Sequence, residues 1–118
     1  MNVIDRSSLS SVLQDFHARV RASAPVKKLL ARWDRTVELR AGEQSFFLRS
    51  KSGEMLPPTT EPPGAPDITI SAEEDILRGI FAGEINPARA HLDGKLQAYG
   101  TQKDQLVLDA IVLLVWGH

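Results

Sequence analysis

The chain contains no cysteine, which removes a disulfide, a thiolate metal site and a cysteine nucleophile from consideration. Aromatic residues are scarce at 6%, and no basic run is longer than the pair Lys27-Lys28. Nucleic acid is therefore not an expected partner, since neither a stacking platform nor a phosphate-binding stripe is present. No apolar run reaches the ~20 residues that a bilayer-spanning helix needs. The opening Met-Asn-Val-Ile-Asp-Arg lacks a basic region followed by an apolar core, so no secretory signal is read there and a cytoplasmic location is expected. No Gly-rich phosphate loop, metal triad or nucleophile motif occurs, and no metal or cofactor is expected.

What is present has the balance of an ordinary globular chain. It has 118 residues, 42% of them hydrophobic and 25% charged, which predicts one domain over residues 1–118 with a sizeable core. The formal net charge is −1 but unevenly spread. Residues 1–50 carry nine Lys/Arg against five Asp/Glu, and residues 51–118 carry five against ten. The basic front half leaves transient contact with an anionic membrane surface open. Its charges are scattered, however, and read first as solvated faces.

The most organised stretch is Asp67–Tyr99. Ile68 and Ile70 alternate with Thr69, the period of a half-buried strand. Ser71 stands three residues before Glu74, which predicts a capping box. Ile76, Leu77, Ile80 and Phe81 then form one helical stripe. Gly83 is placed to end that helix, Asn86-Pro87 to start another turn, and Asp93-Gly94 to break the chain before a strand at Lys95–Tyr99.

Upstream, Ser8–Ala22 reads as an amphipathic helix with Leu9, Leu13, Phe16 and Val20 on one side and His17 among the exposed polar positions. Pro25 opens a second short helix through Val26, Leu29, Leu30 and Trp33, with Trp33 as a core anchor. From Thr36 the period falls to two. Val37, Leu39 and Ala41 alternate with polar residues, and Gln44–Arg49 follows a Gly42-Glu43 turn, so the pair reads as a hairpin. Phe47 falls on the face opposite Phe46 and Leu48, which predicts that this face is partly covered. A weak third strand is read around Glu54–Leu56. Leu56–Pro66 holds five of the seven prolines, predicting a stiff connector unable to continue a ladder.

The last segment, Leu106–Trp116, follows an approximate capping box at Thr101–Asp104 and is apolar almost all the way round. Such a helix is expected to be covered on nearly every side. The cover is the fold itself, a partner subunit, or an apolar ligand filling a cavity. Asp109 within the run should reach outward or to a polar rim; buried, it would need a partner or a raised pKa.

Taken together, Asp67-Ile-Thr-Ile-Ser, Asp75-Ile-Leu, Ala82-Gly83-Glu84-Ile85-Asn86-Pro87-Ala88-Arg89-Ala90, Leu92-Asp93-Gly94-Lys95-Leu96 and Tyr99-Gly100 resemble the sterol carrier protein type 2 lipid-binding domain. The resemblance is close over Asp67–Trp116 and loose before it. It implies an α+β fold, a twisted sheet of about five strands with helices packed on one face, enclosing an apolar tunnel for fatty acyl chains, acyl-CoA, sterols or isoprenoid lipids. Family members act as carriers or accessory modules, generally without catalysis. Two departures are the proline richness of Leu56–Pro66 and the ending Trp116-Gly117-His118 in place of a peroxisomal Ser-Lys-Leu. Both the ending and the short length suit a stand-alone bacterial protein.

The expected tunnel lining is Phe46, Leu48, Ile68 and Ile70 from the sheet, Ile76, Leu77, Ile80 and Phe81 from the central helix, and Leu108, Ile111 and Val115 from the last; each of these also suits plain core packing. Two other functions stay open. One is an enzyme using His91 with Asp93, with Glu73, Glu74 and Asp75 nearby. The acidic trio, however, already suits the first turn of a helix. The other is an accessory or scaffold module, a homodimer in one form, with the apolar last helix and Phe47 at its interface.

Overall fold

The computed structural model describes residues 8–117, so the reading of the first six residues lies outside the described part. The Ser8 hydroxyl accepts the Ser11 N–H and starts α1 (Leu9–Arg21), whose Leu9, Val12, Leu13, Phe16 and Val20 are buried. Ser23 caps α2 (Ala24–Leu30) in the same way, with Pro25 in the first turn, where a missing N–H costs nothing. Trp33 lies past the end of α2. Strands β1 (Arg35–Ala41) and β2 (Gln44–Lys51) form the expected hairpin. A second hairpin leads into β3 (Glu54–Met55) through Ser52 and Gly53, at φ 55° and 81°. Two successive left-handed residues are what a type I′ turn demands. Then come β4 (Ile68–Ala72), α3 (Glu74–Phe81), α4 (Pro87–Leu92), β5 (Leu96–Tyr99) and α5 (Gln102–Trp116).

The sheet order is β3-β2-β1-β4-β5, with β1 and β4 parallel and the other neighbours antiparallel. Register assigns the faces. Val37 pairs with Leu48 and Ile68, Leu39 with Phe46 and Ile70, and Ile70 in turn with Ala98. These side chains share one side and join the core built with α1, α2, α3 and α5. Glu38, Phe47, Thr69 and Tyr99 occupy the other. Phe47 is buried there, outside the main core. This is the α+β arrangement that the sequence predicts, a five-stranded sheet with its helices on one face.

Several local expectations change. The Ser71–Glu74 capping box does not form, because β4 runs on to Ala72 and Glu73 becomes the N-cap without a side-chain bond. Ser71 is instead paired with Arg40 and Gln97 across the sheet, so ladder bonds outcompete the local cap. The proline-rich loop does contribute one rung. Thr59, a non-proline with a free N–H, exchanges two backbone hydrogen bonds with Phe47, at 2.7 and 3.1 Å. His17 is half-buried rather than exposed, with Nε2 2.9 Å from the Met55 carbonyl oxygen. Finally, the fold itself does not cover α5 all round, since Leu106 is 59% and Leu114 44% exposed within the chain.

A buried polar pin fixes the start of α5 to the sheet. Asp104 accepts hydrogen bonds from Trp33 Nε1 at 3.1 Å and from Arg35 Nε at 3.0 Å, while Thr101 caps the helix by accepting the Asp104 N–H. Asp104 thus does not complete a capping box. At the other end Trp116 packs on Gly83 and lies 4.3 Å beneath the Arg19 guanidinium. Phe16 and Phe81 meet edge to face at 5.0 Å between α1 and α3.

Candidate functional site

Strand alternation brings Ile70, Leu96 and Ala98 to the same side of β4 and β5, and these three floor an apolar cavity. Ile80 and Phe81 from the last turn of α3 close one flank. Pro87 and His91 from α4 close another. The remaining wall is α5, where Gln105, Leu108, Asp109 and Val112 recur at helical spacing along one face. The lining is therefore hydrocarbon except at the lip, where His91, Gln105 and Asp109 stand.

The elements hold this geometry for local reasons. Asn86 Oδ1 accepts the Arg89 N–H, so α4 begins at Pro87 and carries His91 one turn on. Gly83 at φ 79° turns the chain out of α3 toward α4. Leu108 and Val112 are buried one turn apart on α5, which orients Asp109 beside them. Asp109 is half-buried and makes no hydrogen bond or ion pair with any described residue. Burial pushes its carboxyl above the usual range, with the charge of His91 acting in the opposite sense. Half-buried and without a hydrogen-bonding partner, it takes the raised pKa that its sequence position left open.

The cavity amounts to about 40 Å³. Among the described residues the expected open tunnel is replaced at this position by a small cavity. Small-molecule pockets run to about 300–1,000 Å³. A wider groove of about 290 Å³ lies between α1, α2 and β3, but its walls include His17, Arg21, Lys27 and Glu54 and suit an apolar guest less well.

Of the residues expected to line a tunnel, Ile70, Ile80, Phe81 and Leu108 meet at this cavity. Phe46, Leu48, Ile68, Leu77 and Ile111 are buried in the core without facing it, and Ile76 and Val115 are half-buried against that core, away from the cavity lining. Leu96, Ala98, Pro87, Gln105 and Val112 also line the cavity and lie outside the expected set. The β5 pair was signalled by alternation opposite Ile70. Gln105 carried no apolar signal and was legible only from its position one turn before Asp109. His91 and Asp93 do not converge, since Asp93 Oδ2 accepts from Arg89 Nε at 3.2 Å while His91 faces the lip. Among the described residues no group of His, Asp and Glu is arranged to hold a metal ion, and no helix is long and apolar enough to cross a membrane.

Solved structures share this architecture at low identity. A UbiJ-SCP2 ubiquinone synthesis protein superposes with a TM-score of 0.73 at 14% identity, covering 91% of this chain and 94% of that one. The sterol carrier protein domain 2 of Helicoverpa armigera gives 0.68 at 17%, covering 92% and 86%. Sterol carrier protein 2 from Aedes aegypti, in complex with the C16 fatty acid palmitate, gives 0.65 at 15%, covering 97% and 98%. No curated protein sequence matches the chain. The likeness is not confined to backbone shape: residues 13–108, from within α1 through the cavity wall at Leu108, match the model of the SCP-2 sterol transfer family, and the chain belongs to that family.

Proposed function

We propose that the chain binds and carries an apolar small molecule, a lipid with an acyl, sterol or isoprenoid body, between β4–β5 and α3, α4 and α5, without covalent chemistry. The observation carrying this reading is the hydrocarbon-lined cavity with its polar groups confined to one lip, which suits a guest of long apolar body and small head. Burying such a body gains roughly 25 cal/mol per Å². The palmitate complex of the Aedes aegypti protein, on the same fold, supports it. A cavity of about 40 Å³ must widen to admit such a guest. Ile70, Ile80, Phe81 and Leu108 of the expected lining form the cavity walls together with Leu96, Ala98, Pro87 and Val112, and further core residues of the expected set join them as the space widens.

Titration with fatty acids, acyl-CoA, sterols and polyprenyl quinones, read by thermal unfolding, tests the proposal. Selective binding to the folded state at about 100 times Kd adds ~2.7 kcal/mol, which in a chain of this size raises Tm by on the order of 10 °C. Ala98→Leu, which fills the cavity from β5, should abolish the shift while the variant still unfolds cooperatively. A flat response of the wild-type protein to every ligand would end the carrier reading.

One observation favours a second reading, an accessory module that presents an apolar intermediate to other proteins. Leu106 stands exposed on α5 beside Leu29, Val107 and Ala110, Leu114 is exposed further along the same helix, and the ubiquinone synthesis protein shares the fold. Solution mass with and without lipid separates a self-associating module from a monomeric carrier.

A further inference from the structure

We propose that Asp109 makes the cavity selective for apolar ligands whose head group donates a hydrogen bond and carries no negative charge, the chemistry of an alcohol or a phenol. This rests on the lipid-carrier reading and specifies its ligand class.

The α5 side of the lip supplies the acceptors, with His91 facing it from α4. Gln105 and Asp109 are four residues apart and share one face of α5. Gln105 donates from Nε2 to the Gly100 carbonyl oxygen at 2.9 Å, and its own amide oxygen has no donor among the described residues. The Asp109 carboxylate is equally without a donor. No Lys or Arg lines the cavity, whereas sites for carboxylate or phosphate heads supply such cations for charge-assisted bonds.

An anionic head placed at this lip meets a half-buried negative charge at short range, where solvent screens poorly. His91 on the facing wall is exposed, and its attraction is correspondingly weakened. A hydroxyl head instead donates to Asp109, offsetting the desolvation that already raises the pKa of this carboxyl. A guest with no donor at all covers Asp109 and leaves it unpartnered, which costs binding energy. Geometry, charge and satisfaction of hydrogen bonds thus favour the same class of head group.

The test compares dodecanol, dodecanoate and dodecyl sulfonate, three heads on one chain, by calorimetric titration of the wild-type protein, Asp109→Asn and Asp109→Leu. The wild-type protein should bind dodecanol about tenfold more tightly than either anion. Asp109→Asn keeps an acceptor and loses the charge, so dodecanol affinity should hold while both anions gain about tenfold. Asp109→Leu removes the acceptor as well, and the advantage of the alcohol should vanish. Equal wild-type affinity for the three ligands, or a preference unaltered in Asp109→Asn, would overturn the inference and leave lipid binding intact. If no ligand binds the wild-type protein, the carrier reading itself fails and this inference falls with it.

Discussion

Two aspartates on α5, five residues apart, are held in opposite states, and stability should report both. Burial alone would raise the pKa of Asp104, but the hydrogen bonds from Arg35 and Trp33, the Arg35 charge and the Thr101 hydroxyl outweigh it and the pKa is lowered. A lowered folded-state value means that the stabilisation is complete above the unfolded value of about 3.9 and is lost as pH falls through the folded one. Asp109 is the reverse case, because burial raises its pKa against the weaker pull of His91. Its ionisation therefore costs stability increasingly as pH rises from about 3.9 through the folded value. Asp104→Ala strands the Trp33 N–H and the Arg35 guanidinium and should cost about 2–3 kcal/mol at pH 7 in urea unfolding. Asp109→Asn should be more stable than the wild-type protein at pH 7 and indistinguishable from it near pH 3. A reversed sign in either pair of curves would contradict these environments. The state of Asp109 was among the options its sequence position left open, whereas that of Asp104 was not legible. Asp104 looked like half of a capping box, and its true partners lie about 70 residues upstream, beyond the reach of local pattern.

At the scale of elements the sequence was far more readable, and the reason is that the signals are local. Ser8, Asn86, Thr101 and Pro87 act through their neighbours within one turn, and each starts its helix where it was expected. Ser71 misled because the same hydroxyl position served a strand rung, a choice decided by β1 and β5 on either side. The apolar run of α5 misled differently, because hydrophobicity all round does not say which side finds a cover. The glycine turns offer a measurable separation of two effects. Gly83 and Gly94 both sit at positive φ, 79° and 73°. A Cβ at Gly94 meets nothing within 4 Å, whereas one at Gly83 lies 2.4 Å from Trp116 Cδ2. Gly94→Ala should cost only the left-handed strain, about 1 kcal/mol. Gly83→Ala should cost about 2 kcal/mol or more, because Trp116 must also leave its seat under Arg19. Equal losses in urea unfolding would mean that the Trp116 contact has no weight.

For the molecule as a whole, the fold was legible because strand order follows from alternation and turn chemistry, while the volume between the layers was not. Ile80 and Ile111 read alike in the sequence, yet one faces the cavity and the other is packed in the core. What matters for function is which boundary of that space can yield. The sheet and α5 are tied together by the Asp104 pin, and α1 to α3 by the Phe16–Phe81 contact. By contrast α4 has six residues, of which only Pro87 and Ala90 are buried, and it is bracketed by left-handed Gly83 and Gly94. Local opening draws on segments with few buried apolar contacts, so residues 84–95 should be the part that swings out to admit a guest. Hydrogen exchange of the ligand-free protein should give the amides of α4 weaker protection than those of β1 and β4. Saturation with a bound lipid should raise protection in α4, while β1 changes little. If the gain appeared instead in α1 and β3, entry would run through the wider groove beside His17, and Asp109 would stand at the closed end of the path rather than at its mouth.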